Sequence, residues 1–194
     1  MKKIKFASLA ALVLISGSLL AACSSDEDTS TGSSTAATSE VAETEGTEED
    51  VVSTASISDQ ADVIEKALGT DGNWIVAITG DVTFDSEVTV AGEFHDKGDA
   101  SADIYRKLAL YAQDENRVVT DEYKLTVPKL VVESPNFNIV NGTVVGDIEV
   151  KANGFVLNGA TVEGNITFAT QEYKDSAVLD QEGASVTGEV TVAE

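Results

Sequence analysis

The C-terminal third of the chain repeats itself, and the repeat length restricts the architectures open to it. Thr143-Val144-Val145-Gly146-Asp147-Ile148-Glu149-Val150 returns 18 residues later as Thr161-Val162-Glu163-Gly164-Asn165-Ile166-Thr167-Phe168. A looser third copy, Ser185-Val186-Thr187-Gly188-Glu189-Val190-Thr191-Val192, follows after a further 24. Phe137-Asn138-Ile139 and Phe155-Val156-Leu157 precede the first two copies at the same spacing. Gly80-Asp81-Val82-Thr83-Phe84 carries the central element much earlier. A period this short excludes a helical hairpin and suits one layer of short strands, a solenoid turn. Alternation turns Val144, Ile148 and Val150 inward. They should stack on Val162, Ile166 and Phe168 at the roughly 4.8 Å spacing of parallel strands.

Gly146, Gly164 and Gly188 are expected at corners, where a positive φ or a close backbone approach is needed. Asn141-Gly142, Asn153-Gly154 and Asn158-Gly159 give further corner signals, since both residue types tolerate the left-handed region. Residues 171–180 interrupt the spacing and are expected as a protruding loop that carries Tyr173 as an exposed aromatic.

On these residues, positions 131–192 resemble right-handed parallel β-helices, with the nearest likeness to small polymer-forming, bactofilin-like proteins. The resemblance implies a rigid stack capable of end-to-end association. The chain stops at Glu194 directly after its last strand-like segment. The final layer is therefore expected to present unpaired strand edges, which associate unless charge protects them. The fold expected is mainly β: a small right-handed parallel β-helix with a short N-terminal capping helix and an irregular, hairpin-bearing insertion.

Upstream of the repeat, Ser58 to Leu68 reads as that helix. Ile57, Ala61, Ile64 and Leu68 recur at helical spacing, Ser56 or Ser58 is placed to cap the start, and Gly69 to end it in the left-handed conformation. Asp59 and Asp62 near the start and Lys66 near the end suit the helix dipole. Strand-like runs follow at 74–78, 82–84 and 88–90, then a polar excursion at 95–103. Residues 106–113 fit either a helix or a strand. Asp114-Glu115-Asn116-Arg117 reads as the turn of a β-hairpin whose second arm is Val118-Val119 with Tyr123 to Val127.

The N-terminus carries a different message. Lys2, Lys3 and Lys5 precede an apolar run from Phe6 to Leu20 that is long enough for a leader and short for a membrane span. Leu20-Ala21-Ala22-Cys23 then resembles the lipobox of bacterial lipoproteins. The resemblance implies cleavage before Cys23, a lipid on its thiol, and attachment to the extracytoplasmic face of the cell membrane. Ser24 to Ser56 contains nine acids, no basic residue and no aromatic. Such a segment has too little apolar surface to offset chain entropy and is expected to be a disordered tether. About 33 residues of it would reach on the order of 30 Å. The chain thus divides into a leader (1–22), an acidic tether (23–56) and a β domain (57–194).

Composition narrows the chemistry. Cys23 is the one cysteine and His95 the one histidine, which leaves no thiol for disulfides or catalysis and no His-rich zinc site. The net charge of −22 repels nucleic acid and anionic bilayers. Losing the leader removes three lysines and no acids, so the charge moves to about −25. Glu93, His95, Asp96 and Asp99 are the nearest approach to a metal cluster, one that oxygen ligands would suit to calcium. Their spacing matches no EF-hand loop and no His-x-x-x-His helix, and a polar loop with one histidine is the reading taken: no metal and no cofactor. Carboxylate pairs are uninformative where acids are everywhere, so no enzyme activity and no catalytic residue is assigned. Arg106 and Arg117, the only arginines, are read as surface charges beside the hairpin. Trp74, Phe94, Tyr105 and Tyr111 form either a sugar-binding platform or core filling, with Trp74 and Tyr173 as ligand-facing aromatics. The function expected is a membrane-anchored structural or binding module at the cell surface. The alternative is a carbohydrate-active protein, either polysaccharide-binding or lyase-like. Its partners would be the membrane through Cys23 and either cell-wall polysaccharide or further copies of itself.

Overall fold

A computed structural model describes residues 55–194. Leu20, Ala21, Ala22, Cys23 and nearly all of the tether lie outside the described residues. The remainder is mainly β, and all but one of its strand pairings between named strands are parallel.

The chain opens with β1 (Ala55–Ser58) and α1 (Ala61–Leu68) and then passes repeatedly between two sheets. β2 (Ile75–Ile78) lies in the first sheet, and β3 (Val82–Thr83) and β4 (Val88–Val90) lie in the second. β5 (Arg106–Ala109) returns to the first. A hairpin of β6 (Tyr111–Gln113) and β7 (Val119–Glu122) intervenes before β8 (Lys124–Val132) in the second. β9 (Phe137–Val140) and β10 (Thr143–Val150) make the next pass. β11 (Val156–Asn158), β12 (Thr161–Glu163) and β13 (Ile166–Phe168) follow. After α2 (Gln171–Asp175) come β14 (Val178–Gln181), β15 (Ser185–Val186) and β16 (Val190–Val192). The first sheet runs β1-β2-β5-β9-β11-β14.

The register follows the repeat residue by residue. Val144 pairs with Val162, Ile148 with Ile166 and Val150 with Phe168. The same columns continue to Val186, Val190 and Val192. Val144, Val150, Val162, Ile166 and Phe168 are fully buried, and each such side chain contributes about 1.5–3 kcal/mol relative to exposure.

The glycine column shows why the repeat keeps its Gly. A Cβ on Gly164 would fall on the carbonyl oxygen of Gly146, and one on Gly188 on that of Gly164. Only Gly146 also has a positive φ, 140°. At Gly164 and Gly188 the requirement is close backbone approach alone. The residue after each glycine bridges the layers: Asp147 Oδ1 accepts from the Asn165 backbone N–H at 2.9 Å, and Asn165 Oδ1 from that of Glu189 at 2.9 Å.

Several expectations change. Gly80-Asp81-Val82 is displaced along the layer, since Val82 pairs with Leu125, the partner of Val144 and not of Ile148. Asp81 nevertheless makes the bridge typical of the repeat, accepting from the Lys124 N–H at 2.8 Å. α1 starts only at Ala61, because Ala55–Ser58 is drawn into parallel pairing with Ile75–Ile78. That strand begins inside the segment read as tether, and Ile57 belongs to it and not to the helix. Gly69 ends α1 in extended backbone (φ −71°, ψ −175°) and not left-handed. The hairpin forms, but its second arm is Val119–Glu122; Lys124 onward is taken by the second sheet. Residues 171–180 contain α2 and the start of β14, and Tyr173 is half-buried against the core. Thr170 Oγ1 caps α2 by accepting from the Tyr173 N–H at 3.3 Å.

Candidate functional site

The segment Tyr105 to Tyr111 organises a surface of mixed aromatic, charged and aliphatic side chains. Alternation along it turns Arg106, Leu108 and Leu110 inward, each fully buried. Tyr105, Lys107 and Tyr111 occupy the opposite parity and are half-buried.

Arg106 is no surface charge. Its Nε donates to the Asn73 carbonyl at 3.2 Å, one terminal nitrogen to Ala91 at 2.6 Å, and the other to Ala67 at 2.8 Å and Gly69 at 3.0 Å. The guanidinium lies 4.1 Å from the centroid of the Phe94 ring, a cation–π contact. Burial lowers its pKa to about 10, so it is charged at neutral pH. No carboxylate is among these contacts. The charge is met instead by four carbonyl dipoles, two at the C-terminal end of α1, where a cation is favoured. One side chain therefore clasps α1, the end of β4 and the start of β2, and fixes the neighbouring Tyr105 and Lys107. Parity alone could have located it in the sequence, because Arg106 shares a face with Leu108 and Leu110.

Two hollows lie on the outer side of the first sheet. One, of about 450 Å³, is lined by Trp74, Ile75, Asp96, Asp103, Ile104, Tyr105 and Lys107. The Trp74 and Tyr105 rings meet there, with centroids 6.1 Å apart and planes tilted by 56°. The Trp74 indole N–H is buried and finds no acceptor among the described residues. Burial, with the Asp96 charge second, raises the Tyr105 pKa, so its hydroxyl keeps its proton and can donate. The second hollow, of about 390 Å³, runs beneath the hairpin past Ile57, Ala77, Ala109 and Tyr111. Both share Ile75 and Lys107. The Lys107 ammonium lies 5.9 Å from the Tyr111 ring centroid.

The outward columns of this sheet are largely apolar. Ile57, Ala77, Ala109 and Val140 form one column, which ends in Asn158 and Gln181, and Ile75, Val156 and Val178 belong to the other, broken by Lys107 and Asn138. The second sheet differs. Its outward columns hold Thr143, Thr161 and Ser185, then Glu149, Thr167 and Thr191, with Lys151 3.3 Å and Lys129 3.6 Å from Glu149.

The predicted residues separate. Trp74 does line a hollow, whereas Tyr173 packs on the core. Phe94 lies under Arg106 and so is withdrawn from the platform that Trp74 and Tyr105 share. Glu93, His95, Asp96 and Asp99 do not converge, and among the described residues no group of three or more His, Cys, Asp or Glu is placed to hold a metal. His95 Nδ1 lies 2.7 Å from the Ala102 carbonyl, which requires it to carry the proton, and Nε2 is 3.8 Å from Glu93. Asp99 accepts from the hydroxyl and backbone N–H of Ser101, which lowers its pKa. Asp96 is 3.8 Å from Lys97. Gly146, Gly164 and Gly188 stack as one column. No family model, curated protein or solved structure matches this chain.

Proposed function

We propose that this chain is a lipid-anchored, extracytoplasmic β-solenoid that serves as a structural or binding module at the cell surface. Cys23, cleaved free after Leu20-Ala21-Ala22, carries the lipid, and the acidic segment between it and β1 holds the folded part away from the bilayer. The observation that carries the solenoid reading is the register. Columns separated by 18 and 24 residues meet in parallel pairs while the chain alternates between two sheets. A right-handed parallel β-helix of the bactofilin-like kind accounts for both. Such a stack is rigid, has a single attachment point, and offers its side faces to a partner.

The anchor is tested by growing cells with an alkyne-tagged fatty acid. Wild type should carry the label and sediment with membranes; Cys23→Ala should lose both. Label on Cys23→Ala, or unlabelled protein in the soluble fraction of wild-type cells, would overturn it.

A second reading, end-on self-association, is favoured by the layer that β14, β15 and β16 form. Leu179, Val186, Val190 and Val192 are only partly buried, whereas Leu157, Val162, Ile166 and Phe168 beneath them are fully buried. Light scattering on the mature chain with calcium and without it tests this: a mass that grows with protein concentration and cation supports it, and a constant monomer mass sinks it.

A further inference from the structure

We propose that the outer face of the first sheet binds an extended, uncharged polysaccharide along the track that joins the Trp74–Tyr105 hollow to the groove beneath the hairpin. The proposal rests on the binding-module reading and names its ligand class.

The two hollows are one track, because Ile75 and Lys107 line both. Tyr105 and Tyr111 stand at its two ends on a single outward row, six residues apart in sequence, or about 20 Å along extended chain. Lys107 and Ala109 lie between them, and beside that row the floor is aliphatic, made by Ile57, Ile75 and Ala77 of β1 and β2. A pyranose ring presents a flat C–H face and a rim of hydroxyls. Flat aliphatic and aromatic surface receives the face, and the tyrosine hydroxyls add polar tips for the rim. Asp96 and Asp103 supply acceptors at the Trp74 end, and Lys107 supplies donors in the middle. This combination of a mostly apolar floor and a few polar groups is that of a ligand site.

Other occupants fit less well. An anionic polymer is opposed by the net charge of −22. A cationic peptide is drawn by that charge and by Asp96 and Asp103, but along the track it meets the Lys107 ammonium, which lines both hollows, and an aliphatic floor that offers it no carboxylate. A second copy brings the same negative charge. Six strands about 4.8 Å apart, each with about four residues at 3.3 Å, also span only on the order of 350–400 Å². That is about half the roughly 800 Å² per partner of a stable interface.

The test uses the full chain in detergent, titrated with hexamers of β-1,4-linked glucose and of β-1,4-linked N-acetylglucosamine. Hexagalacturonate, oligolysine and the monosaccharides serve as comparisons. One uncharged hexamer should bind saturably and at least about tenfold more tightly than its monosaccharide. Tyr105→Ala and Tyr111→Ala should each weaken it about tenfold. Ile57→Lys should do the same without altering the melting curve, because Ile57 is 66% exposed. Failure of both uncharged hexamers to bind at about 10 mM would overturn the proposal. Preferential binding of hexagalacturonate or oligolysine would also overturn it, as would a dimer that Ile57→Lys disperses. An unchanged melting curve and membrane partition in those cases would confine the failure to the ligand and leave the anchored stack standing.

Discussion

Replacing Gly164 by Ala tests whether the layers are as close as the glycine column requires. The added methyl would fall on the Gly146 carbonyl oxygen, 2.5 Å from the carbonyl carbon and 3.1 Å from the Asp147 nitrogen. All three atoms are backbone of the layer beneath, so no rotamer change relieves the contact. The layers must part locally, and two short bonds flank the point of separation. These are Asn165 N–H to Asp147 Oδ1 at 2.9 Å and Ile148 N–H to the Asn165 carbonyl at 2.8 Å. Overpacking of this kind costs about 1–3 kcal/mol, and the two weakened hydrogen bonds add about 1 kcal/mol each. The total is about 3–5 kcal/mol, which lowers Tm by roughly 10–15 °C in a domain of this size. Gly183 supplies the contrast. Its φ is +84°, but no atom lies within 4 Å of the point where an alanine methyl would sit, so Gly183→Ala carries only the left-handed penalty of about 1–2 kcal/mol. Differential scanning calorimetry of both variants should rank Gly164→Ala well below Gly183→Ala. Equal melting of Gly164→Ala and wild type, or a larger loss at Gly183, would refute close approach as the reason for the column.

Arg106→Met should remove the donors of four carbonyls, at a cost of about 3–5 kcal/mol. Arg106→Lys should recover part of this, and amide exchange should show α1 opening first; uniform exchange across the domain would argue against the clasp. The Asp114 turn should be acid-sensitive. The Val118 and Asn116 backbone N–H groups donate to its carboxylate and hold its pKa below the ordinary value. A depressed carboxylate stabilises the fold above its unfolded pKa, and that contribution is lost as pH falls through the folded one. An NMR titration of the Val118 amide should therefore have its midpoint below 3.8; a midpoint at or above that value would contradict the bond.

The columns were readable in the sequence because alternation and an 18-residue period together specify both face and neighbour. Val144, Ile148 and Val150 needed no further information. The Gly80-Asp81-Val82 element misled because those three residues encode a bond between layers, the Asp81 side chain to the Lys124 backbone N–H, and not a column. Arg106 was hidden by its own chemistry. Charge suggests a surface, yet its parity with Leu108 and its supply of helix-end carbonyls decide otherwise. β1 is a four-residue run in which Ala55 and Ile57 alternate with serines, and its strand state depends on a partner 20 residues away. α2, at 5 residues, is too short to show periodicity, and only Thr170 signals it. The outer face of the first sheet was legible only in pieces. Trp74, Tyr105 and Tyr111 stood out as aromatics, whereas the aliphatic floor joining them exists only once β1, β2 and β5 are side by side.

The layered register is tested most directly by a disulfide between Thr167 and Thr191, whose hydroxyl oxygens lie 3.4 Å apart across paired strands. In a Cys23→Ala background, cysteines at these two positions should cross-link rapidly under mild oxidation. Cysteines at Thr167 and Ser185, which belong to different columns, should not. A cross-link in the second pair and none in the first would contradict the stack.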